Sequence, residues 1–196
     1  MNRVFQGAAT VDSILRGASV VWSILPVDLC SLNLFIGAIV LITRSQGFYE
    51  CFYMWSGSAA VIAIILPALS TGNGFPSFRF IVYFLLHCAL IVGAIVMTSG
   101  LGMRPRRSAP WRVWGWTNVF TVGVAIIDIV WNRNHFFLRA KPPGTTLLTY
   151  LGDWPWHILS VEVLMVVLFW LLQLPHLRRA AAAPTPVAGS QEEVLA

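Results

Sequence analysis

The run FIVYFLLHCALIVGAIV, Phe80 to Val96, holds no acid, lysine or arginine. Runs of this kind, recurring along one chain, leave few folds open. Lipid gives a backbone no hydrogen-bond partners, so what crosses it must be a helix or a closed barrel. Continuous apolar runs, rather than a two-residue alternation, select the helix. Comparable segments occupy about Pro26 to Thr43, Phe48 to Leu69, Val113 to Trp131 and His157 to Leu174. The expected fold is all-α, a polytopic membrane helix bundle of five to six transmembrane helices.

Composition excludes other classes. The chain is 57% hydrophobic and only 11% charged, whereas soluble domains carry about 25% charged residues. Its nine tryptophans suit interfacial belts, where an amphipathic ring sits at headgroup level. The net charge of +5 comes from arginines scattered over loops, with no basic stripe interleaved with aromatics, so the expected partners are membrane lipids and not nucleic acid. Cys30, Cys51 and Cys88 lie in or beside apolar runs without CxxC spacing. Neither a zinc site nor a disulfide framework is expected, and no metal or cofactor.

Three regions follow. Residues 1–25 form a short N-terminal helix, whose better half, about Ala18 to Leu25, falls short of the ~20 apolar residues a crossing needs. Its shortness fits a tilted interfacial helix or a start placed too late, with upstream sequence cut off. Residues 26–175 form the polytopic membrane domain. Residues 176–196 form a small, polar tail, expected to be disordered and cytoplasmic.

Lysine and arginine placement orients the bundle. With all six segments crossing, one face collects Arg3, Arg44, Arg104, Arg106, Arg107, Arg112, Arg178 and Arg179, and the other Arg79, Arg133, Arg139 and Lys141. The expected location is the cell membrane, multi-pass, with the C-terminus in the cytoplasm. Cys30, His87, Asp128, Asn132 and Glu162 then fall in the outer half of the bilayer, while Asn118 lies nearer the inner face. Polar groups at such depth cost about 2.5 to 3.5 kcal/mol each if charged, so a shared pocket beneath the loop from Asn132 to Trp156 is expected.

Each candidate has two readings. A cysteine commonly packs as a small hydrophobe, but beside an imidazole it becomes a thiolate nucleophile. His87 in mid-helix needs a partner. Asp28 caps a helix start or, like Glu162, orients the imidazole. Cys88 points ~100° away from His87 around the helix and reads as packing, and Cys51 reads as structural. Asn132 and Asn134 cap or turn the chain, or face a substrate. Arg139 and Lys141 hold a phosphate or are simply solvated. Trp154 and Trp156 anchor the interface or form a substrate platform.

Taken together, LPVDLCSLNLF, FRFIVYFLLH, NRNHFFLRAKPPG and LLTYLGDWPWHILSVE resemble, over about Ile24 to Pro175, the YwaF-like (TIGR-type) integral membrane protein family. That family looks related to a transmembrane acyltransferase family making arachidonoyl ether phospholipids. More distantly, it is similar to hydrolases of fatty-acid esters of hydroxy fatty acids, which use a threonine–histidine pair. The resemblance implies a cysteine nucleophile at Cys30 with a histidine partner at His87. Asp28, Asn118, Asp128 and Glu162 are then supporting residues, and Arg79, Asn132, Asn134, Lys141, Trp154 and Trp156 substrate-binding ones. Pro142, Gly152 and Pro155 also match family-typical positions. The sequence departs from the pattern at Asp28, where the family often has histidine, and at His135, where it often has tyrosine. The expectation is a lipid acyltransferase or acyl-ester hydrolase. The alternatives are a non-catalytic carrier, with His87 and Glu162 binding a solute or proton, and an inactive family member.

Overall fold

The computed structural model describes residues 28–67, 74–130, 132, 134–141 and 146–181. The expected N-terminal helix, with Arg133 and Pro142, lies outside them. Helix α1 is Leu29–Thr43. Helix α2 is Gln46–Ile65, widened into a π-helical turn over Ser56–Ala60. Helix α3 is Phe78–Gly100, its last turn Val96–Gly100 again π-helical. Helix α4 is Ala109–Val130, α5 the single turn Leu147–Tyr150, and α6 Trp156–Ala181.

The boundaries have local causes. Ser77 caps α3 by accepting the Phe80 N–H at 3.3 Å. Arg44 closes α1 in the left-handed region, φ 52°, with its N–H on Val40 O. The last helix does not stop near Leu174 as the sequence suggests. It continues through Pro175 to Ala181, so the expected tail begins inside it. Arginine and alanine are strong helix formers and carry it past the proline. The Tyr53 hydroxyl donates to Leu172 O at 3.2 Å, within the turn that Pro175 weakens.

Four helices, α2, α3, α4 and the Trp156–Arg178 part of α6, are long and apolar enough to cross a membrane. Helix α1 has 15 residues, about 22 Å of rise, short of the ~30 Å hydrocarbon thickness. Helix α2 is the central post: 50% of its span is buried, against 22% for α3 and α4 and 11% for α6. Its Tyr49, Phe52, Met54 and Trp55 form the core with Val40, Leu90, Val113 and Phe169. Large apolar residues such as Ile42, Leu85, Val92 and Ile129 point outward, which suits lipid as solvent.

Successive helices run in opposite directions. Tyr49 at the start of α2 meets Thr98 at the end of α3, and Tyr83 at the start of α3 donates to Ala63 O near the end of α2. Small residues set the close contacts. A Cβ on Gly37 of α1 would stand 2.5 Å from the Phe52 ring, one on Gly93 of α3 3.0 Å from the same ring, and one on Gly57 2.7 Å from Leu172. The bundle therefore has a basic end, with Arg44 and Arg104 to Arg112, and a loop end, where α1, α3 and α6 begin beneath residues 134–141.

Candidate functional site

Helices α1 and α3 run the same way, and both press a glycine on Phe52. Cys30 precedes Gly37 by seven residues and His87 precedes Gly93 by six. That is about 10 Å of rise against about 9 Å, so thiol and imidazole lie at one depth. Cys30 is half-buried and packs against the core, on the stripe that continues through the buried Asn33, Ile36, Gly37 and Val40. His87 heads the buried stripe of α3 with Leu90 and Ala94. Among the described residues no hydrogen bond joins Cys30 to His87.

The imidazole has a defined tautomer. His87 Nδ1 lies 2.7 Å from Tyr83 O. A carbonyl only accepts, so Nδ1 donates, and Nε2 carries the lone pair. The Tyr83 ring stacks on it with centroids 4.2 Å apart. A backbone carbonyl therefore orients this ring, where a carboxylate was expected to do so. Asp28 takes the Ser31 hydroxyl at 2.6 Å and makes no side-chain cap.

The other expected residues separate into two groups rather than one pocket with His87. Glu162 Oε2 accepts from Trp114 Nε1 at 2.7 Å and Asn118 Nδ2 at 3.2 Å. Asn118, expected near the inner face, thus joins α4 to α6 beside Glu162. Asp128, 1% exposed, accepts the His135 N–H at 2.9 Å and pairs with His135 Nδ1 at 2.5 Å. His135 is where the sequence departs from the family pattern, and here it ties the loop to the end of α4.

Most of the expected substrate-binding residues shape that loop. Asn132 Oδ1 accepts from Arg139 at 2.8 Å, and Asn134 holds both Ala140 O and the Arg139 N–H. Lys141 pairs with Asp153 at 3.6 Å. Trp154 donates to Leu138 O at 3.0 Å, and its ring and that of Trp156 are exposed. Arg79 is exposed at the loop end and has no ion-pair partner among the described residues. The three cysteines are free thiols. Among the described residues no cluster of three His, Cys, Asp or Glu could hold a metal ion.

Three residues escaped the sequence. Asn33, buried one turn below Cys30, donates to Ser56 Oγ at 3.0 Å and leaves Oδ1 without a partner. Glu50, 1% exposed, organises the basic end: it pairs with Arg106 and Arg112 at 3.7 and 3.6 Å and accepts the Arg106 N–H. His157, 2% exposed, lies at the start of α6 with Nε2 3.1 Å from Phe137 O. Phe137 adopts φ 55°, rare for so bulky a residue, and that turn presents the carbonyl. A cavity of about 190 Å³ opens here between α2, α4, α6 and the loop. Leu29, Thr121, Leu138, His157 and Glu162 line it, but neither Cys30 nor His87 does.

Apolar spans, lipid-facing side chains and a cavity under a loop at one end define a polytopic helical membrane protein. Within that class the chain belongs to the TMEM164 family, whose model matches residues 4–173. No curated protein and no solved structure matches it.

Proposed function

We propose that the protein is a lipid acyltransferase or acyl-ester hydrolase, with Cys30 as nucleophile and His87 as general base. The observation that carries this reading is the common depth of the two side chains on the packed pair α1 and α3, with His87 Nε2 the nitrogen that holds the lone pair. The motif resemblance to acyl-transferring membrane proteins supports it. Nε2 takes the thiol proton as sulfur attacks the carbonyl carbon of a membrane-lipid acyl ester. It returns that proton to the departing alcohol, leaving an acyl thioester on Cys30. A lysolipid hydroxyl or water, deprotonated by the same nitrogen, then releases the acyl group. Arg79, exposed at this end, meets the headgroup phosphate. The basic end faces the cytoplasm, which puts the C-terminus there.

Purified protein in nanodiscs, supplied with a fluorescent acyl-ester phospholipid and a lysolipid, tests this reading. Cys30→Ala abolishes transfer, and His87→Ala lowers it at least about 100-fold. Activity equal to wild type in Cys30→Ala sinks the assignment.

A second reading is a non-catalytic carrier or binding module, or an inactive member of the family. It is favoured by the missing hydrogen bond between Cys30 and His87 and by a cavity that neither residue lines. An electrophilic lipid-like probe separates the two, labelling Cys30 in a His87-dependent manner only under the enzymatic reading.

A further inference from the structure

The cavity between α2, α4 and α6 is built from apolar walls and an unusual set of polar atoms. His157 directs its Nε2–H to Phe137 O, which makes Nδ1 an acceptor. That Nδ1 is buried and has no hydrogen-bond partner. Glu162, in the same wall, accepts two hydrogen bonds at Oε2, and its Oε1 takes none from the described residues. Three of the donors nearby are already committed. Ser58 donates to Met54 O, Thr117 to Val113 O, and Trp55 Nε1 to Thr117. Two acceptors, His157 Nδ1 and Glu162 Oε1, are left over against one donor, the Thr121 hydroxyl, which makes no hydrogen bond among the described residues.

A buried acceptor without a donor destabilises the fold, and a ligand that brings a hydrogen removes that penalty. One water, with about 30 Å³ of liquid volume, would fill only a small part of the 190 Å³ and leave the apolar walls unpacked. An ionised carboxylate or phosphate brings no hydrogen and meets Glu162. An ammonium group brings hydrogens but loses its hydration in an apolar cavity. The volume of about 190 Å³ exceeds that of the 150 Å³ engineered cavity that takes benzene, so it admits a short length of hydrocarbon. Leu29, at the loop end, is part of the lining.

We infer that this cavity is a binding site for a single-chain lipid bearing a neutral hydroxyl, which donates to His157 Nδ1 while its chain lies among the apolar walls. Fatty alcohols and monoacylglycerols share this chemistry. The site stands apart from the thiol chemistry, since Cys30 and His87 do not line it, and it holds whether or not Cys30 is a nucleophile.

The test uses the full chain in phosphatidylcholine nanodiscs with a photoreactive hexadecanol carrying a mid-chain diazirine, beside its methyl ether. The alcohol labels α4, α6 and residues 134–141 saturably and in preference to the ether, by about three- to tenfold. Thr121→Trp, or Val161→Phe if that variant fails to fold, fills the cavity and lowers saturable labelling at least tenfold. His157→Lys keeps a donor for Phe137 O but carries no acceptor, and it erases the preference for alcohol over ether. Monoolein and unlabelled hexadecanol compete, while palmitate and hexadecylammonium compete less. Cys30→Ala labels as wild type, so failure of the enzymatic reading would leave these results in place. Equal labelling by alcohol and ether in wild type would overturn the inference. So would labelling unaffected by the filling variants, labelling lost in Cys30→Ala, or stronger competition by palmitate or the ammonium.

Discussion

At the basic end, the Glu50 carboxyl group meets two arginines, the Arg106 N–H and the Gln46 amide. Gln46 also donates to Arg104 O, and the Tyr49 hydroxyl to Met103 O. At the loop end, His157 Nδ1 keeps a lone pair without a donor beside a cavity. One end is a knot of matched partners, with Gln173 Oε1 as an exception. The other leaves the buried His157 Nδ1 unmatched beside a cavity. Matched buried groups fix structure. Unmatched ones beside a cavity mark where the protein meets something else.

The comparison predicts where substitutions hurt stability and where they hurt activity. Glu50→Ala should have the largest structural effect, because the Arg106 N–H and the Gln46 amide lose their acceptor together. The arginines left behind are about half exposed and can turn to water, so the cost is about 2–3 kcal/mol. Thermal unfolding in detergent should fall by roughly 5–10 °C, with the proposed acyl transfer keeping its profile. If Glu50→Ala instead leaves stability unchanged and removes activity, the division between the two ends is wrong.

Gly37→Ala comes next. Its Cβ would press on Phe52, the ring that also meets Gly93, and overpacking of this kind costs about 1–3 kcal/mol. Because that ring sets α1 against α3, the proposed acyl transfer should fall further than stability does. A thermal shift beside an activity assay reads both. Trp114→Phe is the mildest: it removes one donor from Glu162, costs about 1 kcal/mol and leaves transfer nearly intact.

How much of this was legible in the sequence follows from what each signal measures. Apolar runs report spans, and Leu29–Thr43, Gln46–Ile65, Phe78–Gly100 and Ala109–Val130 lie close to where those runs put them. Depth along a helix is legible only coarsely: counting rise put Cys30 and His87 in one half of the bilayer but set His87 about two turns deeper, a gap that the shared contact on Phe52 narrows. Azimuth is not legible. Which neighbour Glu162 meets depends on how α4 and α6 rotate, and the sequence assigned it to the imidazole when it serves Trp114 and Asn118. Glu50 was invisible because its partners lie 56 and 62 residues away, Arg106 on a loop and Arg112 in the first turn of α4. His157 looked like the first residue of a span. Its role depends on a left-handed turn at Phe137 that no glycine announces. Pro175 reads as a stop, yet packing against Tyr53 and the alanines after it carry the helix through.

The reading of the loop end as a site of acyl chemistry rests on the thiol at Cys30. The most direct measurement is the mass of the intact protein after brief incubation with an acyl-ester phospholipid, followed by peptide mapping. The account predicts one acyl adduct on Cys30, cleaved by neutral hydroxylamine as a thioester is, and absent from Cys30→Ala and His87→Ala. No adduct under turnover conditions, or an adduct that persists in Cys30→Ala, would contradict it.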